Sequence, residues 1–391
     1  MKIGIITYAK CDNYGAELQA FALQWKLNKL GYDAEVVNLE KRHIDMKRNP
    51  DVIWGSIKMR IKRYGFKGLL AIYTKSKETK KRMRVEVDYK EKRANKHKLF
   101  EFFFDEKVRH SNRYYTLDEI TVAEDLPYDT YIAGSDQIWN YIHTDRLDVY
   151  FLMFANKYNA KKISYAASIS IYEIPRRMRK IYGEYIRNID VLSVRELQGA
   201  ELIMKYWKRK TEVVLDPTFL LQKEEWEKEV AKFPDVEGNY LLIYTLSGSP
   251  HIRKMAIGIA RQLNLTVVNI KSNYIEEPND GTIHFYEIGP EEWVGLLSNA
   301  KYVVTDSFHG TAFSINFNIP FTILVNPVSM MNSRVLSILK ITGLESRIVY
   351  DELKDLEIPK QLEIDFESVN SVLNEWKKKS IGFLETALKQ N

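Results

Sequence analysis

With 391 residues, 45% hydrophobic and 12% aromatic, the chain exceeds what one hydrophobic core usually organises, so two domains are expected and disorder is not the default. The lone cysteine, Cys11, rules out an intramolecular disulfide, and the apolar N-terminal stretch is shorter than a signal-peptide core or a membrane span, so a cytoplasmic protein is expected. The net charge of +6 is unevenly spread: residues 41–115 hold 23 Lys and Arg against 9 Asp and Glu, a local +14.

Residues 2–7 form a β-type run, and 16–30 place Leu18, Phe21, Ala22, Trp25 and Leu30 near helical spacing. Gly31 closes that helix and 34–38 return to β-type, which completes a βαβ unit. The basic segment 41–115 interrupts the pattern as a largely helical insertion, as over 76–104, with too few apolar residues for a core of its own. β-type runs at 130–133, 162–167, 190–194 and 212–215 then alternate with helical stretches at 172–186 and 196–207.

A charged linker, 222–238, introduces a second series, with strands at 240–245, 266–270, 284–287, 302–305 and 321–325 and helices at 251–263, 290–299 and 309–316. The expected fold is therefore α/β, two Rossmann-like domains facing across a cleft. The N-terminal domain spans 1–221 with the helical insertion, and the C-terminal domain spans 222–365. A last helix over 366–391 packs back on the N-terminal domain. Ligands of such sheets bind beyond the strand C-terminal ends, which places function in the cleft.

Three strand-to-helix junctions carry chemistry. In Thr305-Asp306-Ser307-Phe308-His309-Gly310-Thr311 a strand gives way to a helix that would aim N–H groups and an imidazole at the cleft. The same tripeptide Ser-x-His also suits a plain helix N-cap with a structural histidine. In Ser193-Val194-Arg195-Glu196 a guanidinium stands at a strand end, suited to bidentate pairing with carboxylate or phosphate, or simply to a neighbouring acid. The run Gly134-Ser135-Asp136-Gln137-Ile138-Trp139-Asn140 combines carboxylate, amide and indole, the equipment for holding a sugar, or else a capped turn with a buried tryptophan.

These three segments, with Asn13-Tyr14-Gly15-Ala16-Glu17-Leu18-Gln19-Ala20, Ser164-Tyr165-Ala166-Ala167-Ser168 and Leu215-Asp216-Pro217-Thr218, stand in an order that resembles the polysaccharide pyruvyl transferase family. The resemblance runs to about residue 350 and omits the basic insertion. It implies a GT-B-like fold and an enzyme that transfers the enolpyruvyl group of phosphoenolpyruvate to a sugar of a polysaccharide or lipid-linked oligosaccharide. A pyruvate ketal forms and phosphate is released. Phosphoenolpyruvate is then a co-substrate, with no cofactor; and since no Cys/His cluster has metal-ligand spacing, no metal is expected.

By the same resemblance His309 is the general acid/base and Arg195 holds the donor. Ser193, Glu196, Ser307, Phe308, Gly310 and Thr311 line the donor side. The acceptor side is expected at Asn13, Tyr14, Gly15, Asp136, Gln137, Trp139 and Asn140. Many family members carry arginine where this chain has Ser307, and Arg334 is the candidate replacement. The basic, aromatic segment 41–115 is either a solvated helical cover or a contact for an anionic membrane surface; no nucleic-acid partner is expected. A nucleotide-sugar glycosyltransferase of GT-B type and a non-catalytic carbohydrate-binding scaffold are the alternative readings, because architecture alone does not separate them.

Overall fold

The computed structural model describes residues 1–41, 50–64, 90–126, 128–271, 280–329, 331–351 and 356–389. The N-terminal sheet is formed by β1 (Lys2–Ile6), β2 (Asp33–Val36), β3 (Thr130–Ala133) and β4 (Lys161–Ser164), ordered β2-β1-β3-β4 and parallel throughout. Single bridges extend it at both edges, from Val36 to His110 and Leu39 to Tyr115 on one side, and from Ile163 to Val191 and Ala167 to Val194 on the other. The last bridge leads to the short pair β5 (Ser193–Val194) and β6 (Glu212–Val213).

The C-terminal sheet contains β7 (Tyr240–Tyr244), β8 (Thr266–Ile270), β9 (Ile283–Phe285), β10 (Tyr302–Thr305), β11 (Phe321–Val325) and β12 (Ile348–Tyr350). Its order is β12-β11-β10-β7-β8-β9, again all parallel. In both sheets the chain winds outward on one side of the first strand and then returns to the other. That reversal opens a crevice after β1 and β3 in one sheet and after β7 and β10 in the other. The central strands β3, β7, β10 and β11 are buried at every position, which explains why they read as continuous apolar runs rather than alternating ones.

Helix α1 (Tyr14–Lys29) is capped by Asn13, whose Oδ1 accepts from the Ala16 N–H at 3.1 Å, and is released at Gly31, where φ is +87°. The helix is buried nearly all round because it packs on both domains. Tyr14 stacks on Trp293 at 5.6 Å and donates to the Ile288 carbonyl at 3.0 Å; Phe21 meets Trp226 at 5.7 Å, and Trp226 meets Phe313 at 4.9 Å. One apolar cluster thus runs continuously beneath the cleft from one sheet to the other.

The basic segment is helical over most of its described part. Residues 42–49 and 65–89, which include most of the helix expected over 76–104, lie outside the described residues. Within the described part are α2 (Pro50–Tyr64) and α3 (Lys90–Lys107). Far from being merely solvated, α3 buries Phe100, Phe103 and Phe104, with Phe100 against Tyr14 at 4.9 Å and Phe103 against Phe21 at 6.0 Å. Its other side reaches the C-terminal domain, where Asn95 donates to Glu287 at 2.9 Å.

The helix expected from residue 172 begins later, as α4 (Arg179–Asn188) behind a 3₁₀ turn at Arg176–Met178, since Ser170 at φ +54° and Pro175 keep the preceding chain irregular. It is followed by α5 (Leu197–Trp207). The linker is not plain: it holds α6 (Lys223–Glu229), where the Gln222 N–H donates to Glu225 at 2.9 Å and Trp226 is fully buried. In the second domain α7 (Pro250–Leu263), α8 (Pro290–Asn299), α9 (Phe308–Asn316) and α10 (Ser333–Thr342) flank the sheet. Helix α11 (Phe366–Lys389) touches both halves: Ser380 accepts from the Leu215 N–H at 2.9 Å, and Lys377 donates to Asn316 at 2.8 Å.

Candidate active site

The loops after β1, β3, β5 and β6 meet the N-terminus of α9 and the start of α10 in the crevice between the sheets. At the centre lies Asp216, fully buried one residue before Pro217. Its Oδ1 accepts from the Thr218 N–H at 3.0 Å and hydroxyl at 2.7 Å, and its Oδ2 accepts from Ser135 Oγ at 2.8 Å and from Arg195 Nη1. His309 Nε2 stands 3.9 Å from the same Oδ2. The imidazole of one domain and the guanidinium of the other therefore converge on one carboxylate. Burial alone would raise the Asp216 carboxyl, but Arg195, His309 and the Thr218 hydrogen bonds together hold it below the usual range.

His309 is buried against α1, and Gly15 is what lets it in. A Cβ on Gly15 would lie 1.8 Å from His309 Nδ1. Burial lowers the imidazole to about 4 and Arg195 and Arg334 push the same way, against Asp216 and Asp136. The ring is therefore neutral at neutral pH, with a buried Nε2 that has no hydrogen-bond partner. Ser307 caps α9 by accepting from the Gly310 N–H at 3.4 Å, and its carbonyl accepts from the Thr311 hydroxyl at 3.0 Å. The helix end is thus partly closed on itself, and fewer of its N–H groups are open to an anion than the sequence suggests.

The positive charge comes from guanidinium groups instead. Arg195 lies over the Phe308 ring at 4.3 Å and Arg334, projecting from α10, reaches the same ring at 5.8 Å. Arg195 Nε and Nη2 and Arg334 Nε are buried without a hydrogen-bond partner. Arg334 is lowered to about 10 by burial and then by Arg195, against Asp136, Glu196 and Asp216. Two adjacent guanidinium forks suit a carboxylate and a phosphate held side by side.

Several residues expected to contact ligand are turned elsewhere. Trp139 is fully buried, stacked on Phe151 at 4.3 Å, with its indole N–H on the Tyr150 carbonyl at 2.9 Å. Asn140 is fully buried and ties Gln137 to the Ile142 N–H. Tyr14 is spent on the domain interface, as above. Ser193 is fully buried and bonded to Ser164, donating to its carbonyl at 2.7 Å. Glu196 is likewise buried, accepting from Ser168 and standing 3.8 Å from Arg195 Nε; burial raises its carboxyl in spite of Arg195. These five therefore support the crevice from behind.

Asp136, expected on the acceptor side, stands 4.0 Å from Arg195 Nη2. It adopts φ +74°, and its carboxylate accepts from the Gln137 N–H at 2.8 Å, which turns the loop sharply as β3 ends. Burial pushes its carboxyl up, yet Arg195, His309, Lys41 and Arg334 keep it low.

Beside it is a polar group that the sequence did not single out. Glu17 accepts from the Cys11 N–H at 2.6 Å, Lys41 donates to Cys11 Sγ at 3.2 Å and lies over the Tyr8 ring at 4.7 Å, and Tyr8 donates to the Gln137 carbonyl at 3.5 Å. Burial raises Glu17 to about 8. The one available signal was Glu17 placed inside an otherwise apolar helical face. For Asp216 it is an acid preceding proline at a strand end. Among the described residues no three His, Cys, Asp or Glu side chains gather as metal ligands.

The fold is similar to known ones. The UDP-GlcNAc 2-epimerase from Methanocaldococcus jannaschii superposes with a TM-score of 0.50 at 10% identity, over 97% of this chain and 100% of that one. An epimerase from Neisseria meningitidis bound to UDP-GlcNAc gives 0.49 at 10% identity, covering 100% and 95%. MurG from Acinetobacter baumannii gives 0.45 at 9%, covering 100% and 99%. At such identity the first of these speaks for the fold alone, two Rossmann-like domains in the GT-B-like arrangement.

No curated protein matches the chain significantly. The family model described as Polysaccharide pyruvyl transferase, by contrast, matches residues 13–327, which include Asp136, Arg195, Asp216 and His309 but not Arg334. With its two parallel sheets, its paired imidazole and guanidinium and that match over most of its length, the chain belongs to the polysaccharide pyruvyl transferase family and is a transferase.

Proposed function

We propose that the donor is phosphoenolpyruvate and that it occupies the gap between Arg195, Arg334 and His309. The observation that supports this reading is the set of three buried guanidinium N–H donors without partners beside a neutral imidazole. An entering anion gives Arg195 Nε and Nη2 and Arg334 Nε the hydrogen-bond acceptors they lack. Its negative charge also raises the imidazole, which takes up a proton as the donor binds.

His309 then delivers that proton from Nε2 to C3 of the enol, which leaves C2 electrophilic. One sugar hydroxyl attacks C2 and gives its proton back to the imidazole. The C2–O bond to phosphate breaks, a second hydroxyl closes the ketal, and its proton leaves with phosphate. C3 thus keeps the proton from the imidazole, the first hydroxyl proton restores the imidazole, and the second leaves on phosphate. Arg195 and Arg334 stabilise the departing phosphate, and Asp216 orients both Arg195 and the imidazole.

In this reading the acceptor lies along 1–221, near Asn13, Asp136 and Gln137, and the donor along 222–365. No cofactor beyond the co-substrate is called for. The acceptor is a sugar of a polysaccharide or lipid-linked oligosaccharide, and the basic segment 41–115 makes peripheral contact with an anionic membrane. The test is phosphate release from phosphoenolpyruvate with a panel of acceptors. His309→Ala should lower turnover by about 10² to 10⁴ while leaving donor-induced thermal stabilisation in place. Stabilisation by nucleotide-sugars and not by phosphoenolpyruvate would overturn the reading.

A further inference from the structure

Helix α2 reverses the usual burial of a surface helix. At about 3.6 residues per turn its Pro50, Ile53, Trp54, Ile57 and Ile61 fall on one arc, roughly 100° wide. Much of that arc is open to solvent: Trp54 is 70% exposed, Ile53 43% and Ile61 42%, while Ile57 is half-buried. Residues off the arc hold the helix to the protein, Asp51 through an ion pair with Arg177 and Arg63 through the Tyr350 ring at 5.5 Å, so the orientation is anchored at both ends.

Lys58 and Lys62, both exposed, border the stripe, and with Arg60 and Arg63 the helix carries four cations against the single acid Asp51. Beside it, between Trp54, Ile57 and Ile61 and the facing Tyr141 and Pro175, lies a largely apolar cavity of about 530 Å³. A helix that only had to cover a domain would turn this face inward.

We propose that α2 is a membrane-docking helix, lying in the headgroup layer of an anionic bilayer. Trp54, Ile53 and Ile61 reach the acyl boundary, and Lys58 and Lys62 sit among lipid phosphates. This deepens the membrane part of the proposed function and rests on that reading only for its benefit, an acceptor met at the surface. Charge selects the occupant. A second copy of this chain would set one cationic border against another, whereas anionic lipid neutralises it. Among the described residues of the basic segment, Phe100, Phe103 and Phe104 are buried in the core and take no part in that face.

The test is co-sedimentation of the whole chain with phosphatidylcholine vesicles, with and without phosphatidylglycerol. The wild type should bind only the mixed vesicles. Trp54→Ala combined with Ile61→Ala should weaken binding about tenfold or more. Lys58→Gln with Lys62→Gln should weaken it by about fivefold per lysine. Both variants should release phosphate from phosphoenolpyruvate with a soluble acceptor at the wild-type rate, so a fault in the donor reading and a fault in this one are told apart. The proposal falls if the wild type ignores phosphatidylglycerol, if the variants bind as well as it does, or if the variants instead turn a dimer into monomers.

Discussion

Asp216 shows how one buried carboxylate organises opposing groups. It neutralises Arg195 Nη1 and stands near His309, yet Arg195 Nε and Nη2 are left without hydrogen-bond partners, with Glu196 and Asp136 no nearer than 3.8 and 4.0 Å. Arg334 supplies a further donor where Ser307 offers only a cap. Truncating Arg334 to Ala should therefore weaken donor binding by the worth of a charge-assisted hydrogen bond, about 1.5 to 3 kcal/mol, or roughly tenfold to a hundredfold in KM, with a smaller change in kcat. Unchanged kinetics would remove it from the site. The imidazole gives a second readout. Followed by NMR, His309 should titrate near 4 in the free protein and move upward in inorganic phosphate, because a neighbouring anion favours imidazolium. A midpoint indifferent to phosphate would mean that the guanidinium pair holds no anion beside it.

At the scale of elements, the site depends on how closely α1 and α9 approach. Gly15 lies against the His309 ring, where even a methyl group has no room. Alanine at position 15 favours the helix itself, so Gly15→Ala should leave the far-ultraviolet spectrum intact while displacing the imidazole and lowering kcat by tenfold or more, on the order of 1.4 kcal/mol. Wild-type turnover in that variant would show that the ring need not rest on α1. The same approach explains why Tyr14 is not a ligand lip. Once α1 is pressed onto the second domain, its first residue falls among Trp293, Tyr244 and Phe100.

For the molecule as a whole, a core that continues beneath the cleft joins the two domains, with α3 and α11 touching both. Two histidines in the cleft, His309 and His143, are lowered from 6.5 to about 4, mainly by burial. A depressed folded value means that the unfolded chain takes up these protons first. The stability they contribute is complete above about 6.5 and is lost as the pH falls towards 4. Denaturation midpoints should thus decline across that window, and less steeply in a His143→Gln variant; equal slopes would show that His143 is not held neutral in the fold.

The sequence alone determined the two α/β halves, because strands buried on both faces must be continuous apolar runs, and it determined which strand ends carry Arg195, His309 and Asp136. It also made the family visible through six short segments in order. Only the tertiary structure decided which way each polar turn faces. Trp139 and Asn140 stand in the same loop as Asp136, yet they close the loop from inside, since a buried indole and amide find hydrogen bonds there. Asp216 gained its place at the centre, and the phenylalanines of α3 their place in the core, from partners far away in the chain. Local periodicity cannot encode such partners, since burial depends on what packs against a face and not on the face itself.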